Sequence, residues 1–235
     1  LTRYALPVLA VGIATGGLGF FVLFWERMSR ISIVFLLFSF AIGTYLAGAG
    51  LTYLSRDQHL ALLWIRIAQA GVVFIPSTVL LLTMKLVGSA FRYRSWIKVS
   101  FTLSMMFMGS IIFTDLYVRG VVEFFWGHYS LYGPLGFLFI AFFVISLIAV
   151  YYLYLREYRR STTNRHKNRL RGILLAFSIG YLGAVDFLPA MGIPYYAFGY
   201  IPIFFFVVIM AYVVVRYQLV DITPELAAGR ILDTM

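Results

Sequence analysis

Arg66 and Gln69 lie three residues apart inside the apolar stretch Leu60–Met84, and Asp186 lies near the end of a second one, Leu170–Leu188. Residues three apart share a helix face. A cation and a carboxyl group in such surroundings are costly unless paired, so they read as a candidate functional pair. Leu60 and Gly172 are taken as the points where the two stretches enter the bilayer. Helical rise then puts Arg66 about 9 Å from one face of the membrane and Asp186 about 21 Å from the other. In an apolar core about 30 Å thick these are the same level. The depths predict that Arg66 and Asp186 face each other, directly or through water. Such a pair either fixes helix register or serves as a ligand site or switch, and both readings stay open. Asp115 stands close enough in sequence to the same level to join the cluster, although a solvated helix end is the plainer reading.

Several other chemistries are excluded. There are no cysteines, so disulfide and thiolate chemistry is absent. His59, His128 and His166 are placed in loops, so no inward-facing pair is available to hold a haem. The last apolar stretch has no lysine for a retinal Schiff base, and no HExxH, P-loop or Gly-x-Ser-x-Gly pattern occurs. No metal and no cofactor is expected.

The elements that position these groups are seven apolar stretches of spanning length. They run Leu6–Trp25, Ile31–Leu54, Leu60–Met84, Ile97–Leu116, Tyr132–Leu155, Leu170–Leu188 and Pro194–Tyr217. A bilayer core needs about 20 apolar residues as helix, because backbone polar groups must be satisfied within the segment. With 62% hydrophobic and 12% charged residues, little chain is left for a soluble domain. The fold class is an all-α membrane protein, a seven-transmembrane helix bundle. The first stretch lacks a small-residue cleavage site and reads as a retained span.

The net charge of +10 is unevenly placed. Arg27, Arg30, Lys85, Arg92, Arg94, Lys98, Arg156, Arg159, Arg160, Arg165, Lys167, Arg169, Arg171, Arg216 and Arg230 fall on one side. Only Arg3, Arg56 and Arg119 fall on the other. The positive-inside rule then predicts an external N-terminus and a cytoplasmic C-terminus. The basic loops read as topology determinants that also meet anionic lipid, not as a nucleic-acid patch.

Connections are short except two. The basic segment Arg156–Arg169 is predicted to continue the fifth helix past the membrane. The aromatic segment Asp115–Leu131, broken by Gly120 and Gly127, is predicted to form a short hairpin or interfacial flap. Gly12 and Gly16, Gly43 and Ala47, and Ala176, Gly180 and Ala184 make small-residue stripes, read as packing within the bundle. Pro76 and Pro202 are expected to kink the third and seventh spans. Thr223, Pro224 and Glu225 read as a cytoplasmic helix start, with a cap, a proline at the first position and an acid at the positive dipole end. Leu226, Ile231, Leu232 and Met235 give that helix an uncovered apolar face, which implies a following domain or a partner chain.

Trp64-x-Arg66 with Pro76, Tyr132-Gly133-Pro134, the turn Asp186-Phe187-Leu188-Pro189 to Gly192-Ile193-Pro194, and above all Arg216-Tyr217-x-Leu219-Val220-Asp221-Ile222-Thr223-Pro224 resemble one known family. It is the N-terminal seven-transmembrane sensor region of bacterial histidine kinases, also found ahead of diguanylate cyclases. The resemblance covers essentially the whole chain. It implies a sensor domain over residues 1–217 and the start of a signalling linker over 218–235, in the bacterial cytoplasmic membrane. It further implies a PAS domain and an output enzyme beyond, with no catalytic residue in this segment.

The function expected from these readings is a membrane input domain. A small amphipathic ligand is expected in an outer pocket of Trp64, Arg66, Gln69, Trp126, Asp186 and Tyr196. Arg216, Asp221, Thr223 and Pro224 are expected to relay the signal, and the C-terminal helix to pair in a homodimer. The alternatives are a small transporter or channel, and an accessory subunit of a membrane complex.

Overall fold

The computed structural model describes residues 2–87 and 93–217. It is an α-helical bundle with a two-stranded hairpin at one end. The helices α1 (Thr2–Trp25) and α2 (Arg30–Leu54) are joined by a tight turn. Pro7 lies past the first turn of α1, where it leaves the Arg3 carbonyl without its i+4 donor at the frayed end of the helix. Arg27 and Met28 take positive φ of 50° and 58° in the turn, and the Ser29 hydroxyl accepts from the Ser32 N–H to cap α2. Asp57 caps the next helix by accepting from the Leu60 N–H at 2.9 Å.

The third span is interrupted. It consists of α3 (Gln58–Val72) and α4 (Ile75–Leu86), with Val73 and Phe74 between them. Pro76 has no N–H to give the Val72 carbonyl, and its ring collides with that carbonyl in a continuous helix. The expected kink is thus a full break. It is stitched from the side: Ser104 Oγ donates to the Val73 carbonyl at 2.6 Å and lies 2.8 Å from Ser77 Oγ. Ser104 belongs to α5 (Arg94–Phe113).

The aromatic segment forms the expected hairpin, β1 (Val118–Phe124) paired antiparallel with β2 (Gly127–Tyr132). Phe124 pairs with Gly127, leaving Phe125 and Trp126 as a two-residue turn. Gly127 is required there. Its φ is +136°, and a Cβ would lie 2.9 Å from Tyr53 Cα at the end of α2.

The helix α6 (Pro134–Arg160) continues past the apolar stretch into basic sequence, as expected. The sixth span begins as α7 (Asn164–Gly180), tightens into a 3-10 segment (Tyr181–Asp186) and ends in the short α8 (Phe187–Ala190). The last helix, α9 (Tyr200–Tyr217), starts later than Pro194, and Pro202 sits in its first turn. There it removes only an N–H that has no partner, so it does not kink the span. The three histidines are not in loops: His59 opens α3, His128 lies in β2 and His166 opens α7.

Among the described residues, six helical segments are long and apolar enough to cross a membrane, and Tyr200–Val213 is a shorter apolar helix. The centre of the bundle is α2, which packs against α1, α3, α4 and β2. The small-residue stripes of α1 and α2 face each other there, while Gly180 of the third stripe packs on Phe206 of α9. A Cβ on Gly12 would lie 3.0 Å from Ala47 N, and one on Gly43 would lie 3.1 Å from the Gly12 carbonyl. This is close backbone packing within one chain. Around it, Ile13, Phe24, Met106, Phe113, Ile145 and Ile148 are exposed, the apolar outer surface a bilayer would cover.

Candidate functional site

The polar residues at the hairpin end fall into three separate groups. Asp186 is buried at the end of the 3-10 segment. Tyr45 of α2 donates its hydroxyl to Asp186 Oδ2 at 2.7 Å, and the Gly199 N–H just before α9 donates to Oδ1 at 2.7 Å. The Tyr129 hydroxyl of β2 donates to the Asp186 carbonyl at 2.8 Å. One residue thus ties α2, the hairpin and the start of α9 together. Burial, and then the nearby Asp186, pushes the Tyr129 phenol well above its ordinary range, which keeps it a donor.

Gln69 is the second hub. Its Oε1 accepts from Tyr132 at 3.0 Å and from Tyr117 at 3.5 Å, and its Nε2 donates to Ser130 Oγ at 3.4 Å. Burial pushes the Tyr117 phenol upward as well. A satisfied amide of this kind fixes the hairpin to α3. The third group is Arg66, whose Nη2 meets Asp115 Oδ1 at 2.7 Å. Asp115 lies just beyond α5, and the two side chains are 33% and 78% exposed, so this is a surface ion pair.

The predicted contact between Arg66 and Asp186 does not form. Equal depth says nothing about direction around the bundle, and α3 turns Arg66 and Gln69 together toward the hairpin and the end of α5. The depth itself also shifts, because a 3-10 segment rises about 2.0 Å per residue instead of about 1.5 Å. Nor does the cleft that Asp186 lines include Trp64, Arg66, Gln69, Trp126 or Tyr196. Trp126 is fully buried in the hairpin turn, with ring centroids 5.0 Å from Tyr53, 5.3 Å from Tyr129 and 5.7 Å from Tyr196. Tyr196 also packs on Tyr4 at 5.3 Å. Trp64 is half-buried on α3 and shares none of these hydrogen bonds or ring contacts.

The open space lies deeper. A narrow cleft runs beside the middle of α2, walled by Phe38, Ile42, Phe143, Phe177, Ile203 and Phe206. Tyr45 and Asp186 stand at its polar edge, the latter being the one residue of the expected pocket that lines it. The cleft sits where helices are irregular: at the α3–α4 break near Ile75, along the 3-10 segment, and at the first turns of α9.

A family model for the N-terminal 7TM region of histidine kinase matches residues 7–224. The chain belongs to that family. No match was found among curated proteins. The family accounts for the seventh apolar helix, Tyr200–Val213, as a span alongside the six longer ones. It makes the chain a multi-pass membrane region that acts as a sensory input domain, itself without catalytic function, and displaces the transporter and accessory-subunit readings.

Of the remaining relay residues, Arg216 is exposed near the end of α9 and donates to the Tyr212 hydroxyl. Asp221, Thr223 and Pro224 lie outside the described residues, as does the helix expected there. Sequence reasoning missed Tyr45, Tyr129, Tyr117 and Tyr132. Tyr45 carried a usable signal. It lies nine residues before the end of α2, about 14 Å inside, which is too deep for an interfacial aromatic belt.

Proposed function

We propose that this region is the input half of a sensor histidine kinase in a bacterial cytoplasmic membrane, with the N-terminus outside and the C-terminus in the cytoplasm. Its stimulus is a small apolar or amphipathic molecule that enters the central cleft and acts on Asp186. The observation that carries this reading is that Asp186 lies on the cleft wall while binding the first residues before α9. A ligand with a hydrogen-bonding head competes for Tyr45 or Asp186 and loosens the Gly199 contact. That shifts α9, the element leading toward Arg216 and the following residues. The ligand biases two packings by its differential contacts with them. Pairing of the segment after α9 into a dimer would carry the shift onward.

The test uses the full-length kinase in lipid nanodiscs. Asp186→Asn and Tyr45→Phe are expected to change autophosphorylation several-fold, and Ala184→Phe, which fills the cleft, is expected to lock one state. Unchanged autophosphorylation in all three variants would overturn the proposal.

A further inference from the structure

Although α5 and α6 are joined only through the hairpin, they pack weakly on each other, and α6 leans instead on α4. Between α4, α5 and α6 this leaves a lateral groove that no residue of the Asp186 hub lines. Its walls are apolar, including Leu103, Phe107, Leu138, Phe142 and Ile145. It runs from Tyr93 and Trp96 to Phe107 along α5, a helical length of about 21 Å. That exceeds half of an apolar core about 30 Å thick, the depth of one leaflet.

The mouth of the groove is charged. Tyr152 lines it one turn from the basic end of α6, and Arg156, one turn further on the same face, donates Nη1 to Tyr93 Oη at 3.2 Å. Arg159 continues that stripe and is exposed. The acid beside them, Glu157, turns away to His166 at 3.4 Å. A guanidinium has further N–H donors beyond the one given to Tyr93, in a fork that suits a phosphate.

We propose that this groove is a binding site for an anionic phospholipid of the bilayer, with an acyl chain between α5 and α6 and the phosphate headgroup on Arg156. The occupant follows from the charge at the mouth, the apolar length behind it and the membrane location of the chain. It is independent of what fills the central cleft.

The test is native mass spectrometry of the full chain after delipidation, titrated with phosphatidylglycerol and phosphatidylethanolamine. The unaltered protein should retain phosphatidylglycerol about fivefold to tenfold better, the scale of one added charge-assisted contact. Arg156→Gln should remove that preference. Tyr93→Phe, which keeps the charge, should preserve it. Ala149→Trp should lower retention of both lipids by filling the groove. Ala141→Trp should do the same from an exposed, lipid-facing position where folding is not at stake. Equal retention of the two headgroups by the unaltered protein would overturn the site. So would unchanged retention in Ala141→Trp, or loss of preference in Tyr93→Phe equal to that in Arg156→Gln. A lipid-free dimer that Ala141→Trp dissociates would assign the groove to a second copy instead.

Discussion

Tyr45 and Asp186 provide the sharpest test of how the bundle is held. Their hydrogen bond is 2.7 Å long, and it joins α2 to the 3-10 segment between two buried side chains. A buried hydrogen bond contributes about 0.5–1.5 kcal/mol, and up to about 3 kcal/mol when one partner is charged. Double-mutant cycles between membrane helices average about 0.6 kcal/mol and reach about 1.7 kcal/mol, because the unfolded chain in the bilayer also finds partners. A fully buried carboxyl group belongs at the upper end, so the expected coupling is about 1–2 kcal/mol. The measurement is a cycle of Tyr45→Phe and Asp186→Ala, read by reversible unfolding in mixed micelles. The lost Gly199 bond and the cavity left by Asp186→Ala occur in both the single and the double variant, so they cancel. A parallel cycle of Arg66→Ala and Asp186→Ala should be additive to within about 0.5 kcal/mol. A Tyr45–Asp186 coupling below about 0.5 kcal/mol, or an Arg66–Asp186 coupling above it, would refute the arrangement.

The other expectations concern the surface pair and the helix crossings. Arg66→Ala with Asp115→Ala should show a coupling of only about 0.2–1 kcal/mol, since the pair is exposed. Raising the salt concentration should shrink it further, and a salt-independent coupling would show the pair to be buried. Gly71→Ala would put a Cβ 2.5 Å from the Ala41 carbonyl and 2.8 Å from the Tyr45 N–H nitrogen. Because both neighbours are backbone, α3 must move off α2, at a cost of about 1–3 kcal/mol. Gly109→Ala meets nothing within 4 Å and should instead stabilise α5, by about 0.5–1 kcal/mol. Unfolding midpoints that move equally in these two variants would refute the close α2–α3 crossing.

What was legible in the sequence depended on how local its cause was. The spans could be read because burial in lipid demands long apolar runs, whatever the helices touch. The hairpin could be read from Gly120, Gly127 and the β-branched and aromatic residues between Asp115 and Leu131. Pro76 announced a defect in the third span because its missing N–H acts within one turn. Pro202 misled because the same proline is harmless in a first turn, and the late start of α9 at Tyr200 was not written in the apolar stretch.

The candidate site was less legible, since its partners are remote. Asp186 was conspicuous as a carboxyl group in an apolar span, but its partner Tyr45 is 141 residues away. Tyrosine in a membrane protein ordinarily signals an interface, so nothing nearby marked Tyr129 or Tyr132 as donors to a buried hub, and only its depth in α2 set Tyr45 apart.

By itself, then, the sequence determined that the chain fills a membrane with helices, that the third span is interrupted at Pro76, and that Asp186 and Gln69 need partners. Hydropathy and local sterics act along the chain and leave their record in it. Only the tertiary structure decided that Arg66 meets Asp115, that Asp186 meets Tyr45 and Gly199, and that the open space lies beneath the aromatic end of the bundle instead of within it. Those outcomes depend on the direction each helix face takes around the bundle. That direction is set by close crossings such as Gly12 on Ala47 and Gly71 on Ala41, which no depth count along a single helix contains.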